Sequence, residues 1–238
     1  MGEFSWDHHK EFFTLMEDEG IPEKWWGPDL RREPFVSAME WAGQWIGRNA
    51  RPRALWRRCP LGREGEGWVA MRSPGESIPL HIVGEPEGWV GGGSAIFLAL
   101  TLGDLEGVDG GAPEGDLLRR YALAVVGGRW LDAVGRRAWE RVKADLRARG
   151  ETLAPSLGPG EGPSWPLKGQ RALGALLDLG SVGMGLNGHQ VLFPSMSLTA
   201  AAAVIPEEGA KGRLEGGWDK CLRCALRGRC GWGSGKDR

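Results

Sequence analysis

The sequence has little that would direct it to a membrane or to nucleic acid. Its longest apolar runs, residues 95–102 and 198–205, are far shorter than the roughly 20 residues of a membrane-spanning helix. The net charge is −1, with 30 basic and 31 acidic residues, so no bulk attraction to nucleic acid or to an anionic membrane is indicated. A basic segment followed by an apolar one is missing from the first residues, so we expect no signal peptide and a cytoplasmic protein.

Motifs of common enzyme classes are missing as well. No Ser/His/Asp set and no carboxylate pair has a spacing that indicates hydrolysis. The glycines at 91–93 precede an apolar segment, but no Lys-Ser or Lys-Thr pair follows them as in a phosphate-binding loop. The 40 glycines are scattered rather than periodic, and 13 tryptophans beside a single tyrosine do not by themselves indicate an aromatic binding surface.

What the sequence does concentrate is cysteine. Three of its 4 cysteines, Cys221, Cys224 and Cys230, lie in a Gly- and Arg-rich tail with little apolar material to bury. Such a cluster indicates metal or cluster ligation, or disulfide exchange, and stable disulfides are not expected in the cytoplasm. Three alternatives stay open. The first is an iron–sulfur cluster, with Cys59 as its fourth ligand or with one iron site open. The second is structural zinc. The third is unligated thiols.

Hydrophobic periodicity predicts a mixture of helices and short strands. Four segments have helical spacing: residues 1–30, 35–47, 116–149 and 167–178. Four segments are strand-like: residues 53–59, 68–72, 78–83 (with His81) and 198–205. Residues 95–102 are either a strand or a buried helix, because periodicity cannot separate the two over so short a run. Asp116 is a plausible N-cap of the longest helix, and Gly127-Gly128 predicts a split or a kink in it.

Residues 153–167 form a long loop rich in proline and glycine, and such loops are often functional. Eight residues of this loop and of the segment before the last strand occur in a recognisable order: Ser156, Gly158, Gly160, Trp165, Asn187, His189, Pro194 and Ser195. This order resembles the activation, or reactivation, domain of vitamin B12-dependent methionine synthase, in the short stand-alone form of anaerobes with a Cys tail. The resemblance covers about residues 35–232 and depends on the order of segments, not on one motif.

The resemblance implies a mixed α/β (α+β) fold with a twisted, mostly antiparallel sheet and flanking helices. We expect three parts: a helical extension at 1–30, the α/β domain at 31–215 and the Cys tail at 216–238. The implied function is reductive reactivation of a cobalamin-dependent methyltransferase such as methionine synthase. In that reaction S-adenosylmethionine and an electron from flavodoxin or ferredoxin serve a corrinoid held by the partner protein. The eight residues are then the candidate cofactor-binding set.

Four positions depart from the family's pattern, and one of them is His189, which replaces the serine of the turn before the last strand. Ala154 replaces the arginine that binds the carboxylate of S-adenosylmethionine, and alanine cannot make that bidentate contact. Pro159 replaces a tyrosine, and Gly188 replaces the glutamate of the turn before the last strand. Lys168 and Arg171 are the candidates for the missing charge. Two functions therefore stay open: a reactivation protein that holds S-adenosylmethionine through backbone groups, and a non-catalytic binding module of the same fold that has lost it.

Overall fold

A seven-stranded sheet organises the part of the chain that the computed structural model describes, which is residues 2–5, 33–86, 89, 93–105, 115–161 and 164–210. Its strands are β1 (Gly2–Ser5), β2 (Arg53–Glu64), β3 (Gly67–Ser73), β4 (Glu76–Pro79), β5 (Ser94–Thr101), β6 (Glu151–Leu153) and β9 (Ser197–Pro206). The strand order is β4-β3-β2-β5-β9-β6, with β1 beside β2, and every pair is antiparallel. A separate two-stranded hairpin joins β7 (Gly185–Leu186) to β8 (Leu192–Phe193).

Three α-helices flank this sheet in the described ranges: α1 (Glu33–Asn49), α2 (Leu117–Arg147) and α3 (Gln170–Leu176). Short 3₁₀ turns occupy Leu167–Gly169, Leu179–Val182 and Glu207–Ala210. The Asp116 side chain accepts a hydrogen bond from the backbone N–H of Arg119 at 2.9 Å, so the predicted N-cap of α2 is confirmed. None of these helices is both long enough and apolar enough to cross a membrane. The mixed α/β fold predicted from the sequence is confirmed.

The two central strands, β5 and β9, are covered on both faces. Every residue of β5 is buried. Because successive side chains of a strand point to opposite faces, alternate residues of β5 enter two separate cores. Ile96, Leu98 and Leu100 pack with α1 and α2 on one face, and Phe97 and Ala99 pack with α3 on the other. Burial on both faces removes the polar alternation that would have identified residues 95–102 as a strand.

The predicted split in the long helix is wrong. Helix α2 runs unbroken through Gly127 and Gly128. A Cβ added at Gly127 would lie 2.8 Å from the sulfur of Met196, so this glycine allows the segment before β9 to approach the helix closely. Gly127 therefore serves packing, and neither glycine interrupts the helix.

Two predictions near the sheet edge also need correction. The strand expected at 78–83 ends at Pro79, and His81, expected in a strand, has a φ of 59°. Gly2–Ser5, expected as part of a helical extension, forms β1 against β2. The rest of the proposed extension lies outside the described residues, as does the Cys tail. The division into three parts stays a prediction.

One ion pair joins strands that are not neighbours. Arg58 of β2 reaches across the sheet and makes two parallel contacts with Glu151 of β6, at 2.6 Å and 2.7 Å. Its Nε also donates to the Ser94 hydroxyl at 2.9 Å. The hydrogen bond from Arg58 is the main cause that lowers the pKa of the Glu151 carboxyl, and the same bond raises the pKa of Arg58. The pair therefore stabilises the ionised carboxylate in the folded chain.

Three tryptophans fill the core on the α3 face. Trp68, Trp89 and Trp165 meet edge to face, with ring centroids 5.7 Å and 6.4 Å apart. Trp165 is 1% exposed, and its Nε1 donates to the Leu80 carbonyl at 2.6 Å. A Cβ added at Gly169 would overlap the indole nitrogen of Trp165. The ring is fixed by its neighbours, so the turn that begins α3 is fixed with it.

We expect Glu151→Gln to lower the free energy of unfolding by about 0.5–1 kcal/mol at neutral pH, because the pair is partly exposed. The depressed folded pKa of Glu151 means that this stability is present above the carboxyl's ordinary pKa and is lost as pH falls through the folded value. Urea unfolding of both proteins at neutral and acidic pH checks this, with Glu85→Gln as a control in the more exposed Arg63–Glu85 pair. If the difference in unfolding free energy between wild type and Glu151→Gln were the same at acidic and neutral pH, the stabilising role of the ionised Glu151 would be contradicted.

We expect Gly169→Ala to destabilise the protein by about 1–3 kcal/mol, because the new methyl group overlaps a buried, hydrogen-bonded indole. Gly128→Ala is the matched control. It lies inside α2 with nothing within 4 Å of the added Cβ, so it should be neutral or stabilising. Thermal unfolding followed by circular dichroism measures both. Equal melting temperatures for the two variants would contradict this prediction, because they would show that the core around Trp165 adjusts to the added methyl group.

Candidate functional site

The predicted site residues lie in two loops that border the central strand β9. The first loop follows β6 and runs beside β9, where the Leu157 and Ala201 backbones exchange two hydrogen bonds of 2.8 Å. The second is the β7–β8 hairpin, whose chain continues through Pro194 and Ser195 directly into β9. The first group thus lies beside the middle of one central strand, and the second group lies just before the beginning of the same strand.

The first loop is closed by its own backbone. Gly160, with a φ of 87°, donates its N–H to the Trp165 carbonyl at 2.8 Å, and the N–H of Glu161 donates to the Gly158 carbonyl at 3.1 Å. A Cβ added at Gly158 would lie 2.8 Å from the carboxyl carbon of Glu161, so this carboxylate lies against the glycine. Ser156 is half-buried at the beginning of the loop. A cavity-lining role for Trp165 is not available in this conformation, because the side chain is inside the core.

The second loop is organised by Asn187. Its side-chain oxygen accepts hydrogen bonds from the backbone N–H groups of His189 and Val191, at 2.9 Å and 3.0 Å. This is the local capping for which asparagine is favoured in turns. His189 is exposed near the tip of the hairpin, and the peptide bond between Phe193 and Pro194 is cis. Asn187 therefore holds the turn, while His189 is the side chain that it presents.

A buried polar pair attaches the first loop's end to β9. The side-chain nitrogen of Gln170 donates to the Thr199 hydroxyl at 2.9 Å, and both residues are buried. A buried polar group keeps its place only when it is paired. This pair could not be predicted, because nothing in the sequence distinguishes Gln170 from a surface glutamine at the start of a helix.

Exposed apolar side chains surround the two loops. Leu167, Val191 and Phe193 are each about half exposed, at 47%, 50% and 52%. Leu167 is 3.4 Å from a Cβ added at Gly160, and Phe193 packs against Gly185. Glu161 on the first loop and His189 on the second are also exposed. Exposed apolar and charged side chains of this kind can contact a ligand or a partner.

The loops fit S-adenosylmethionine only in part. Ala154 is fully buried, and its N–H donates to the Ala203 carbonyl at 2.8 Å, so no cation stands where the family has its arginine. The Gly158 carbonyl and the Gly160 N–H are already bonded within the loop. The Glu161 carboxylate is the one charged group beside Gly158 that suits a cationic sulfonium.

The predicted metal ligands are not brought together by the described residues. Cys221, Cys224 and Cys230 lie outside them. Cys59 is 1% exposed in the core on the α3 face, and burial raises the pKa of its thiol, although the charge of Arg57 opposes this. A raised pKa disfavours the thiolate that ligation requires. No group of three or more potential metal ligands occurs among the residues whose positions are described.

No family model matches the chain, and no curated protein matches it. Among solved structures, the chain is similar to the crystal structure of the MetH reactivation domain bound to AdoHcy. The TM-score is 0.57 with 15% identity, and the match covers 85% of this chain and 77% of that one. At this identity the likeness shows the fold, and it is the fold that the order of sequence segments predicted. The stand-alone type with a Cys tail stays a prediction.

Proposed function

We propose that this chain is an accessory protein for the reductive reactivation of a corrinoid-dependent methyltransferase such as methionine synthase. The observation that carries the proposal is the fold, which is shared with the MetH reactivation domain over most of both chains. The corrinoid would be held by the partner protein in the cytoplasm. S-adenosylmethionine would supply the methyl group, and flavodoxin or ferredoxin would supply the electron.

The two loops that border β9 are the proposed binding region. Backbone groups of the first loop would contact the ligand, and Glu161 would face its positive charge. His189 and Ser195 are exposed on the second loop, where a ligand or a corrinoid partner can reach them. The exposed Val191 and Phe193 add an apolar contact surface beside them.

A second candidate function is a non-catalytic binding module of the same fold. The observation that favours it is Ala154, whose side chain lies in the core and offers no charge for a ligand carboxylate. In this version the chain would bind a corrinoid protein without S-adenosylmethionine. The Cys tail would then hold structural zinc or remain unligated.

The Cys tail would carry the redox centre in the first version. Cys221, Cys224 and Cys230 would hold an iron–sulfur cluster with an open iron site, or with Cys59 as the fourth ligand. The three-cysteine version agrees better with the core position of Cys59. Thiolates are the usual ligands of such clusters, and nearby arginines favour the thiolate form. Zinc is the alternative occupant.

We expect S-adenosylmethionine and S-adenosylhomocysteine to bind the first loop, measured by isothermal titration calorimetry. Gly158→Ala should weaken binding about tenfold, because its methyl group would displace the Glu161 carboxylate. Gly128→Ala in α2 is the control that should leave binding unchanged. The reactivation function would be excluded if the wild-type protein bound neither compound and did not promote methylation of an inactive corrinoid methyltransferase. The non-catalytic binding module would then be the remaining proposal.

We expect anaerobically purified protein to contain iron and sulfide and to absorb visible light. Cys224→Ser should remove most of this absorbance, because a cluster loses a thiolate ligand. Cys59→Ala should retain it, since the buried thiol is not needed in the three-cysteine version. Loss of absorbance in Cys59→Ala would favour four cysteines, and a colourless zinc protein would exclude the cluster.

A further inference from the structure

An open groove lies beside the candidate loops and plays no part in the proposed function. It has a volume of about 620 Å³ and runs between strands β2 and β3 on one side and α3 with β7 on the other. Its size falls in the range of small-molecule sites. Three arginines line it, Arg57, Arg72 and Arg171, and the one acidic residue among its lining is Asp178. The groove is therefore positive on a chain whose net charge is −1.

Arg57 is the fixed cation of the groove. It is half-buried, and its guanidinium donates to the Leu176 carbonyl at 3.1 Å and to the Arg72 carbonyl at 2.9 Å. These bonds tie β2 to β3 and to the end of α3. Because a guanidinium has five N–H donors, donors remain after these two bonds. No carboxylate of the described residues pairs with this charge, so it is oriented by neutral groups alone.

Helix α3 would ordinarily oppose an anion here, because its C-terminal residues line the groove and carry the negative end of the helix dipole. The Leu176 carbonyl, however, already accepts a hydrogen bond from Arg57. This carbonyl therefore holds the Arg57 guanidinium in place.

Arg171 is the second cation. It lies in the first turn of α3, is exposed, and has no ion pair or hydrogen bond with any described residue. Arg72 differs, because its guanidinium forms an exposed ion pair with the Glu76 carboxylate at 3.3 Å. An oxyanion in the groove would therefore meet one oriented guanidinium and one that can move to close on it. Guanidinium groups bind phosphate and carboxylate through paired N–H donors.

We propose that this groove binds the oxyanionic group of a small organic molecule, a phosphate or a carboxylate, between Arg57 and Arg171. Arg57 positions the oxygen atoms from a fixed place, and Arg171 adds the second charged contact. The ligand body would extend along the groove toward Gly185 and Leu186, which lead into the turn at Asn187. The site is independent of S-adenosylmethionine and of any metal.

The test is a calorimetric titration of the full-length protein with glycerol phosphate and with succinate, at constant ionic strength and neutral pH. We expect at least one to bind with a dissociation constant below about 10 mM. Tighter binding of glycerol phosphate identifies a phosphate site, and tighter binding of succinate identifies a carboxylate site. Absence of binding by both at that concentration overturns the proposal.

Variants show whether the groove is responsible. Arg171→Gln should weaken binding about tenfold or more, because a charge-assisted contact is lost. Arg141→Gln removes the same charge from the exposed pair with Asp145 on α2 and should leave binding unchanged. Arg57→Lys keeps the charge but loses the paired bonds to two carbonyls, so it should also weaken binding while circular dichroism reports the fold. Equal affinities of the Arg171→Gln and Arg141→Gln proteins would overturn the assignment. None of these readouts needs a corrinoid.

Discussion

The structure depends on two adjacent strands, β5 and β9, that are buried on both faces. Their backbone groups bond to each other and to the outer strands, and their side chains alternate between two cores. The run Ala200–Ala203 of β9 supplies only methyl groups to either face, which lets the covering elements approach closely. Removal of either layer would expose one apolar face of both strands.

The candidate loops take their positions from this core. One loop bonds along β9 at Ala201 and is fixed at its far end by Trp165 and by the Gln170–Thr199 pair. The other loop runs straight into β9. The proposed binding region is therefore built on backbone that the core has already ordered, and a ligand bound there would cost little loop entropy. Asn187 adds the local turn that the core does not specify.

Two consecutive arginines show how pleating separates roles. Arg57 and Arg58 are adjacent in sequence but point to opposite faces of β2. Arg58 crosses one face to Glu151 and supports the sheet. Arg57, on the other face, meets backbone carbonyls at the groove and keeps donors for a ligand. In the sequence the two are adjacent basic residues, and nothing there indicates that their roles differ.

The sequence by itself determined much of the local structure: the three helices α1, α2 and α3, the Asp116 cap, strands β2, β3 and β9, and the order of segments that indicated the fold. These follow from periodicity and side-chain chemistry over a few residues. Tertiary structure alone decided that Ser94–Thr101 form a strand, that Gly127 serves packing, and that Cys59 is buried. It also decided which arginines remain without acidic partners. Those outcomes depend on neighbours distant in the chain, and a local pattern carries no information about such neighbours.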